Sequence, residues 1–229
     1  MSIGKQTVGF DSNGKPLKTL LIQAEDSIRT CIKNRDGTMQ KLTPEEKALA
    51  YENFHITPRL KGMSGNRLID ALERYHEKYK YDLVIFNPLS RFSSHIDPSD
   101  PQQVMEWIDQ IECVMEKLNC SGIAVMPTPK QGVAQRKNRT DTAYSIYGSA
   151  KWGDAMRETI ELREAKLDGW MTLLTEKRTD DWGWKMKYIH RSNDPTKPMW
   201  IEASDTELNI RDYSGSAQAQ PCWPDLLGI

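Results

Sequence analysis

One short stretch restricts the fold more than any other: Tyr81-Asp82-Leu83-Val84-Ile85-Phe86-Asn87-Pro88-Leu89-Ser90-Arg91-Phe92. Leu83, Val84, Ile85 and Phe86 are consecutive large apolar residues, and they stop at a polar side chain and a proline. A run so short, bounded this way, reads as a strand with apolar side chains on both faces. Such strands lie at the centre of a parallel sheet, where helices cover both sides. In open α/β sheets ligands bind beyond the carboxyl ends of these strands. The polar end at Asn87 is therefore the first place to look for a site.

The segments around it fit the same architecture. Residues 1–16 hold Gly4, Gly9, Gly14 and Pro16 among polar residues, and read as a flexible N-terminal segment. Residues 17–24 (LKTLLIQA) read as a strand that stops at Glu25-Asp26-Ser27. Asp26 or Ser27 is placed to cap a short helix through Ile28, Arg29 and Ile32. Thr43-Pro44-Glu45-Glu46 is a helix start: Thr43 as cap, Pro44 in the first helical position, Glu46 completing a capping box. That helix is expected to run to about residue 52, followed by a short extended piece over 54–60. Leu68, Ile69, Leu72, Tyr75, His76 and Tyr79 recur at helical spacing, which predicts an amphipathic helix over 66–80.

After the central strand, 93–103 reads as a polar loop. Val104, Trp107, Ile108, Ile111, Val114, Met115 and Leu118 then form a continuous helical stripe. Residues 123–126 (IAVM) read as a second short buried strand, ended by Pro127. The order over 17–126 is thus β-α-α-β-α-β, a parallel sheet covered by helices. A long loop is expected over 127–147, then a helix over 148–157 and a strand over 158–163. Residues 171–177, 184–190, 199–203 and 206–213 read as short strands joined by turns such as Asp168-Gly169, antiparallel strands extending the sheet. The core is expected over 17–213, with a C-terminal tail over 214–229.

The chain has 229 residues and a formal net charge of −1, so any attraction to nucleic acid must come from a local patch. Cys31, Cys113, Cys120 and Cys222 form no CxxC pair and have no His at ligand spacing. Zinc is not expected, and scattered thiols suit a reducing cytosol. No apolar run approaches the roughly 20 residues needed to span a bilayer. The N-terminus lacks the apolar stretch of a signal peptide. The expectation is a cytoplasmic protein with no membrane partner.

Taken in order, several segments resemble one family. LLIQAEDS (20–27) is similar to a strand ending in an Ala-Glu-Asp turn, and TPEE (43–46) to the acidic helix start that follows it. YDLVIFNPLSRF (81–92) resembles a Walker B strand with its trailing Leu-x-Arg-Phe. IAVMPTPKQG (123–132), YGSAKWGDA (147–155) and HRSNDP (190–195) resemble the later segments. Their order and spacing resemble the hexameric replicative helicases of the RepA type, among the RecA-like ATPases of plasmid and phage replication modules. The resemblance runs over 17–203. It implies a RecA-like α/β fold: a mostly parallel sheet flanked by helices, with antiparallel strands added in the C-terminal third.

The same resemblance assigns roles. It places Glu25 as the water-orienting carboxylate, and Asn87 and Ser90 at the nucleotide-binding end of the Walker B strand. Arg191 takes the place of a late lysine, a cation able to reach a phosphate. It turns the loop at 127–139 toward a central channel, where Lys130, Arg136, Lys137 and Arg139 would follow the phosphates of single-stranded DNA. It implies ATP with Mg²⁺ as cofactor, and RecA-like subunits as homo- or hetero-oligomeric partners.

The sequence departs from what phosphoryl transfer needs, namely a phosphate cradle, a metal ligand, an oriented water and a cation. No GxxxxGK[ST] loop occurs; Gly4-Lys5-Gln6-Thr7 lacks the upstream glycine and strand. Asn87 offers an oxygen without charge where an aspartate would hold Mg²⁺, which weakens metal binding. Pro127 and Thr128 stand where the family has two histidines, and Tyr147 where it has an arginine. Each candidate also has a plain structural reading. Asn87 can simply end a strand, Glu25 can belong to a helix-capping acid cluster, Arg191 can be a surface residue, and 127–139 can be a solvated loop. The leading expectation is a degenerate RecA-like domain that binds single-stranded DNA or a helicase partner without hydrolysing ATP alone. Two alternatives stand beside it: an active DNA-dependent ATPase whose P-loop comes from another chain, and a decoy that occupies an interface in a helicase ring.

Overall fold

The computed structural model of the chain describes residues 2–4, 12–57, 62–127, 151–165, 169–177, 186–191 and 200–204. Strand β1 (Thr19–Gln23) leads to helix α1 (Ile28–Thr38), whose cap Ser27 accepts from the Thr30 N–H at 3.1 Å. Helix α2 (Pro44–Asn53) starts at the predicted capping box. Thr43 Oγ1 accepts from the Glu46 N–H at 3.3 Å, and Glu46 Oε2 accepts from the Thr43 N–H at 2.9 Å. The chain continues through β2 (Phe54–Ile56), α3 (Asn66–Tyr79) and the central strand β3 (Leu83–Asn87). Helix α4 (Pro101–Lys117) and β4 (Ser121–Ala124) follow.

These strands make one parallel sheet in the order β2-β1-β3-β4. The steps from β2 to β3 and from β3 to β4 run one way across the sheet, and the step from β1 to β2 runs the other way. Right-handed crossovers therefore put α3 and α4 on one face and α1 and α2 on the opposite face. Side-chain alternation agrees. Leu20, Ile22, Val84 and Phe86 pack with Leu68 and Leu72 of α3 and with Val104, Trp107, Ile108 and Ile111 of α4. Gln23, on the other face of β1, meets Cys31 of α1, with Nε2 3.5 Å from Sγ. Each large apolar side chain buried in that core contributes roughly 1.5–3 kcal/mol.

The C-terminal part comprises helix α5 (Lys151–Ala155) and strands β5 (Thr159–Glu164), β6 (Trp170–Lys177), β7 (Met186–Arg191) and β8 (Trp200–Glu202). Trp152 of α5 joins the main core and is 1% exposed. The strands β5-β6-β7-β8 pair antiparallel in chain order.

Four expectations change. The antiparallel strands form a sheet of their own; among the described residues no ladder joins them to the parallel sheet. The piece after α2 is a sheet member, because Phe54, His55 and Ile56 pair with Thr19, Leu20 and Leu21. Helix α4 begins at Pro101, inside the expected loop, because Asp100 Oδ1 accepts from the Gln102 and Gln103 N–H groups at 2.9 and 3.3 Å. The last parallel strand begins at Ser121 and is not buried. Among the described residues it is an edge strand; Ile123 within it and Val125 just after it are 39% and 42% exposed. An edge strand has a neighbour on one side only, so apolar sequence alone does not bury it. The final expected strand, 206–213, and the tail lie outside the described residues. Among the described residues no helix is long and apolar enough to cross a membrane.

Candidate functional site

Strands β1 and β3 pair in register, so Gln23 lies opposite Asn87 and both chains leave the sheet at its carboxyl end together. Backbone bonds lock the two exits. The Ala24 N–H donates to Asn87 O at 3.0 Å, and the Leu89 N–H donates to Val125 O at 3.0 Å. A short 3-10 turn over Leu89–Phe92 follows, with Leu89 and Phe92 buried. The buried Gln23 side chain shapes the turn after β1. Its Oε1 accepts from the Glu25 N–H at 3.0 Å, and its backbone N–H donates to Thr57 Oγ1 at 3.2 Å.

This geometry brings Glu25, Asn87 and Ser90 to the same end of the sheet. It adds a residue that carried no assigned role, Arg91, whose Nε donates to Glu25 Oε1 at 2.9 Å. The two side chains are 66% and 51% exposed, so the pair is wet and its attraction is screened. A carboxylate that faces water at a strand end and is held by a cation can orient a polar ligand. Asn87 is half-buried, and its main chain serves the sheet. Ser90 O accepts from Ser93 Oγ at 2.9 Å, which closes the turn. As a Mg²⁺ site this end is poor in charge. Asn87 is neutral, and Glu25 already has a cationic partner. Among the described residues no group of three or more His, Cys, Asp or Glu side chains converges so as to hold a metal ion.

Arg191 sits elsewhere. It ends β7 opposite Trp200, and its guanidinium carbon lies 5.4 Å from the Trp200 ring centroid, a cation–π contact within the antiparallel sheet. Lys130, Arg136, Lys137 and Arg139 lie outside the described residues.

A second concavity opens at the start of α3. It is a cleft of about 530 Å³ between the first turn of α3, the loop after β3 and α4. Ser64, Asn66, Arg67, His95, Glu106 and Trp107 are on its lining. The His95 ring stands edge-on to Trp107, with centroids 4.6 Å apart. Partial burial holds the His95 imidazole below its ordinary value. Sequence reading missed this cleft because its walls come from segments some 30–40 residues apart that only the crossover of α3 and α4 brings together.

The fold is of the RecA-like α/β kind: a parallel sheet flanked by helices, with an antiparallel sheet in the C-terminal third. Among solved structures the chain is similar to one described as an ATPase domain, with a TM-score of 0.61 and 13% sequence identity. That similarity covers 81% of this chain and 74% of the other. At this identity the likeness is one of fold. No family model matches the sequence. No curated protein matches it either.

Proposed function

We propose that the chain is a degenerate helicase-type ATPase domain of a DNA replication or mobile-element module, which binds single-stranded DNA or a helicase partner and does not hydrolyse ATP by itself. The observation that carries this reading is the exit of β3. In a fold similar to an ATPase domain, the strand end where an acidic metal ligand would serve phosphoryl transfer carries the neutral Asn87. The carboxylate beside it, Glu25, is engaged by Arg91. The basic residues Lys130, Arg136, Lys137 and Arg139 are the DNA-contacting set on this reading.

The test is ATP turnover by the purified chain, with and without single-stranded DNA. Turnover should be negligible in both; a rate of about 1 s⁻¹, at the low end of ordinary enzymes, would refute the proposal. Replacing the four basic residues with alanine should weaken strand binding and flatten its salt dependence. Unchanged binding with an unchanged slope would remove the DNA assignment.

A second reading has its own support. Parallel strands are normally covered on both faces, yet β4 has no described neighbour on its outer edge, and Ile123 and Val125 are partly exposed. A P-loop strand and helix from another chain would cover that edge and supply the missing phosphate cradle. On this reading turnover appears only when such a chain is mixed with this one.

A further inference from the structure

Strand β5 presents its apolar side to solvent and keeps its charged side more covered. Alternation puts Ile160, Leu162 and Glu164 on one face of the strand, and Thr159, Glu161 and Arg163 on the other. Ile160 and Leu162 are 37% and 53% exposed. The Glu161 side chain is only 12% exposed, and its Oε2 accepts from Arg163 Nη2 at 2.5 Å. Leu173 of β6 lies opposite Leu162 and is half-buried, so the apolar strip is two strands wide. The solvated side of an antiparallel sheet is normally the polar one.

The outer edge of β5 is open as well. Among the described residues β5 pairs with β6 alone. The Ala165 N–H donates to Trp170 O at 3.0 Å, so the main-chain groups of 161, 163 and 165 turn toward β6. Those of Ile160, Leu162 and Glu164 turn outward, where no described strand meets them. Such an edge is a template for another strand. The sequence of β5 matches its own. When two copies lie antiparallel with Leu162 on the two-fold axis, Ile160 faces Glu164 of the second copy, and Glu161 faces Arg163 of the second copy. The outward main-chain groups then meet in reciprocal pairs, and opposite charges stand across from each other. An axis at Glu161 or at Arg163 would instead set like charges face to face. Charge therefore selects the register centred on Leu162.

We infer that β5 is a self-association edge, on which a second copy of this chain pairs antiparallel about a two-fold axis through Leu162. The contact is isologous, as two-fold interfaces require. It joins the two antiparallel sheets into one, sets Leu162 against Leu162 of the second copy, and brings the two Glu161–Arg163 pairs together as an alternating cluster. The inference rests on the edge alone and on neither ATP nor DNA binding.

Sedimentation equilibrium of the full chain over a concentration series tests it. The mass should rise from one chain toward two. Glu161→Arg and Arg163→Glu should each weaken association about 10-fold or more, because every dimer holds two of these cross-strand pairs. An equimolar mixture of the two variants should restore association, since one copy is then basic at both positions and the other acidic at both. Neither variant keeps the pair within its own strand, so restoration reports contact between chains. Should either variant fail to fold, cysteine linking gives the same answer. Leu162→Cys should form a disulfide-linked dimer on mild oxidation, beyond any seen in the wild type, because residues paired across this axis lie about 5.5 Å apart. Ile160→Cys should not, because its two copies lie about 13 Å apart along the strands. A wild-type chain that stays single at every concentration overturns the inference. So does a mixture that fails to associate, or linking at Ile160 as readily as at Leu162.

Discussion

Glu25 shows how a residue's meaning depends on its neighbour. In sequence it is one acid in a Glu-Asp-Ser turn. In the structure it is the carboxylate that Arg91 reaches across from the turn after β3. Both groups face water, so the pair holds an orientation more than it stabilises the fold. A double-mutant cycle of Glu25→Ala and Arg91→Ala, read by urea denaturation, should give a coupling below about 1 kcal/mol. A larger value would mean the pair is shielded from solvent. Gly65 makes the converse point. Its φ of 54° and ψ of −138° suit glycine, and a Cβ there would come within 3.4 Å of the His95 ring. The glycine meets that backbone conformation and leaves α3 without a capping side chain.

The helices divide by how their starts are satisfied. Helix α2 has its reciprocal box, and α4 has Asp100, both formed by residues adjacent in sequence. Asp100→Ala should cost about 1 kcal/mol, seen as a lower urea midpoint with an unchanged slope. No loss would show that Pro101 alone starts the helix. The strands divide by position in the sheet. Leu21, Ile85 and Ile123 occupy one row across β1, β3 and β4. Burial falls along it, from half-buried at Leu21 and Ile85 to 39% exposed at Ile123. Similar apolar side chains thus meet different surroundings, which is why the last parallel strand looked buried in sequence and is not.

At the scale of the molecule, histidines give a pH signature. His55, His76 and His95 each sit below the ordinary imidazole value of 6.5, with desolvation as the first cause. Lys18 adds to the effect at His55, and Lys80 adds to it at His76, where Asp82 opposes it. The unfolded chain therefore binds these protons more readily than the folded one. Stability should be unaffected by these groups well above pH 6.5 and should fall as the pH drops below it. Urea midpoints at pH 7.5 and 5.5 test this. Replacing the three histidines with glutamine should shrink the difference, and an undiminished difference would assign it to carboxylates.

Local interactions made much of this protein legible. The capping box at Thr43 and Glu46, the stripe of α3, and the apolar run of β3 are decided within a few residues. The structure puts them where periodicity and capping chemistry place them. The RecA-like class was readable from the order of those pieces. Long-range pairing decided the rest. It made Phe54–Ile56 a member of the parallel sheet, paired the described antiparallel strands with one another, joined Arg91 to Glu25, and brought Arg67 and Trp107 to the lining of one cleft. Spacing along a chain encodes contacts one helical turn or one pleat away. Which strand ends at an edge, and which donors share a cleft, is set by crossovers that span tens of residues and leave no local trace.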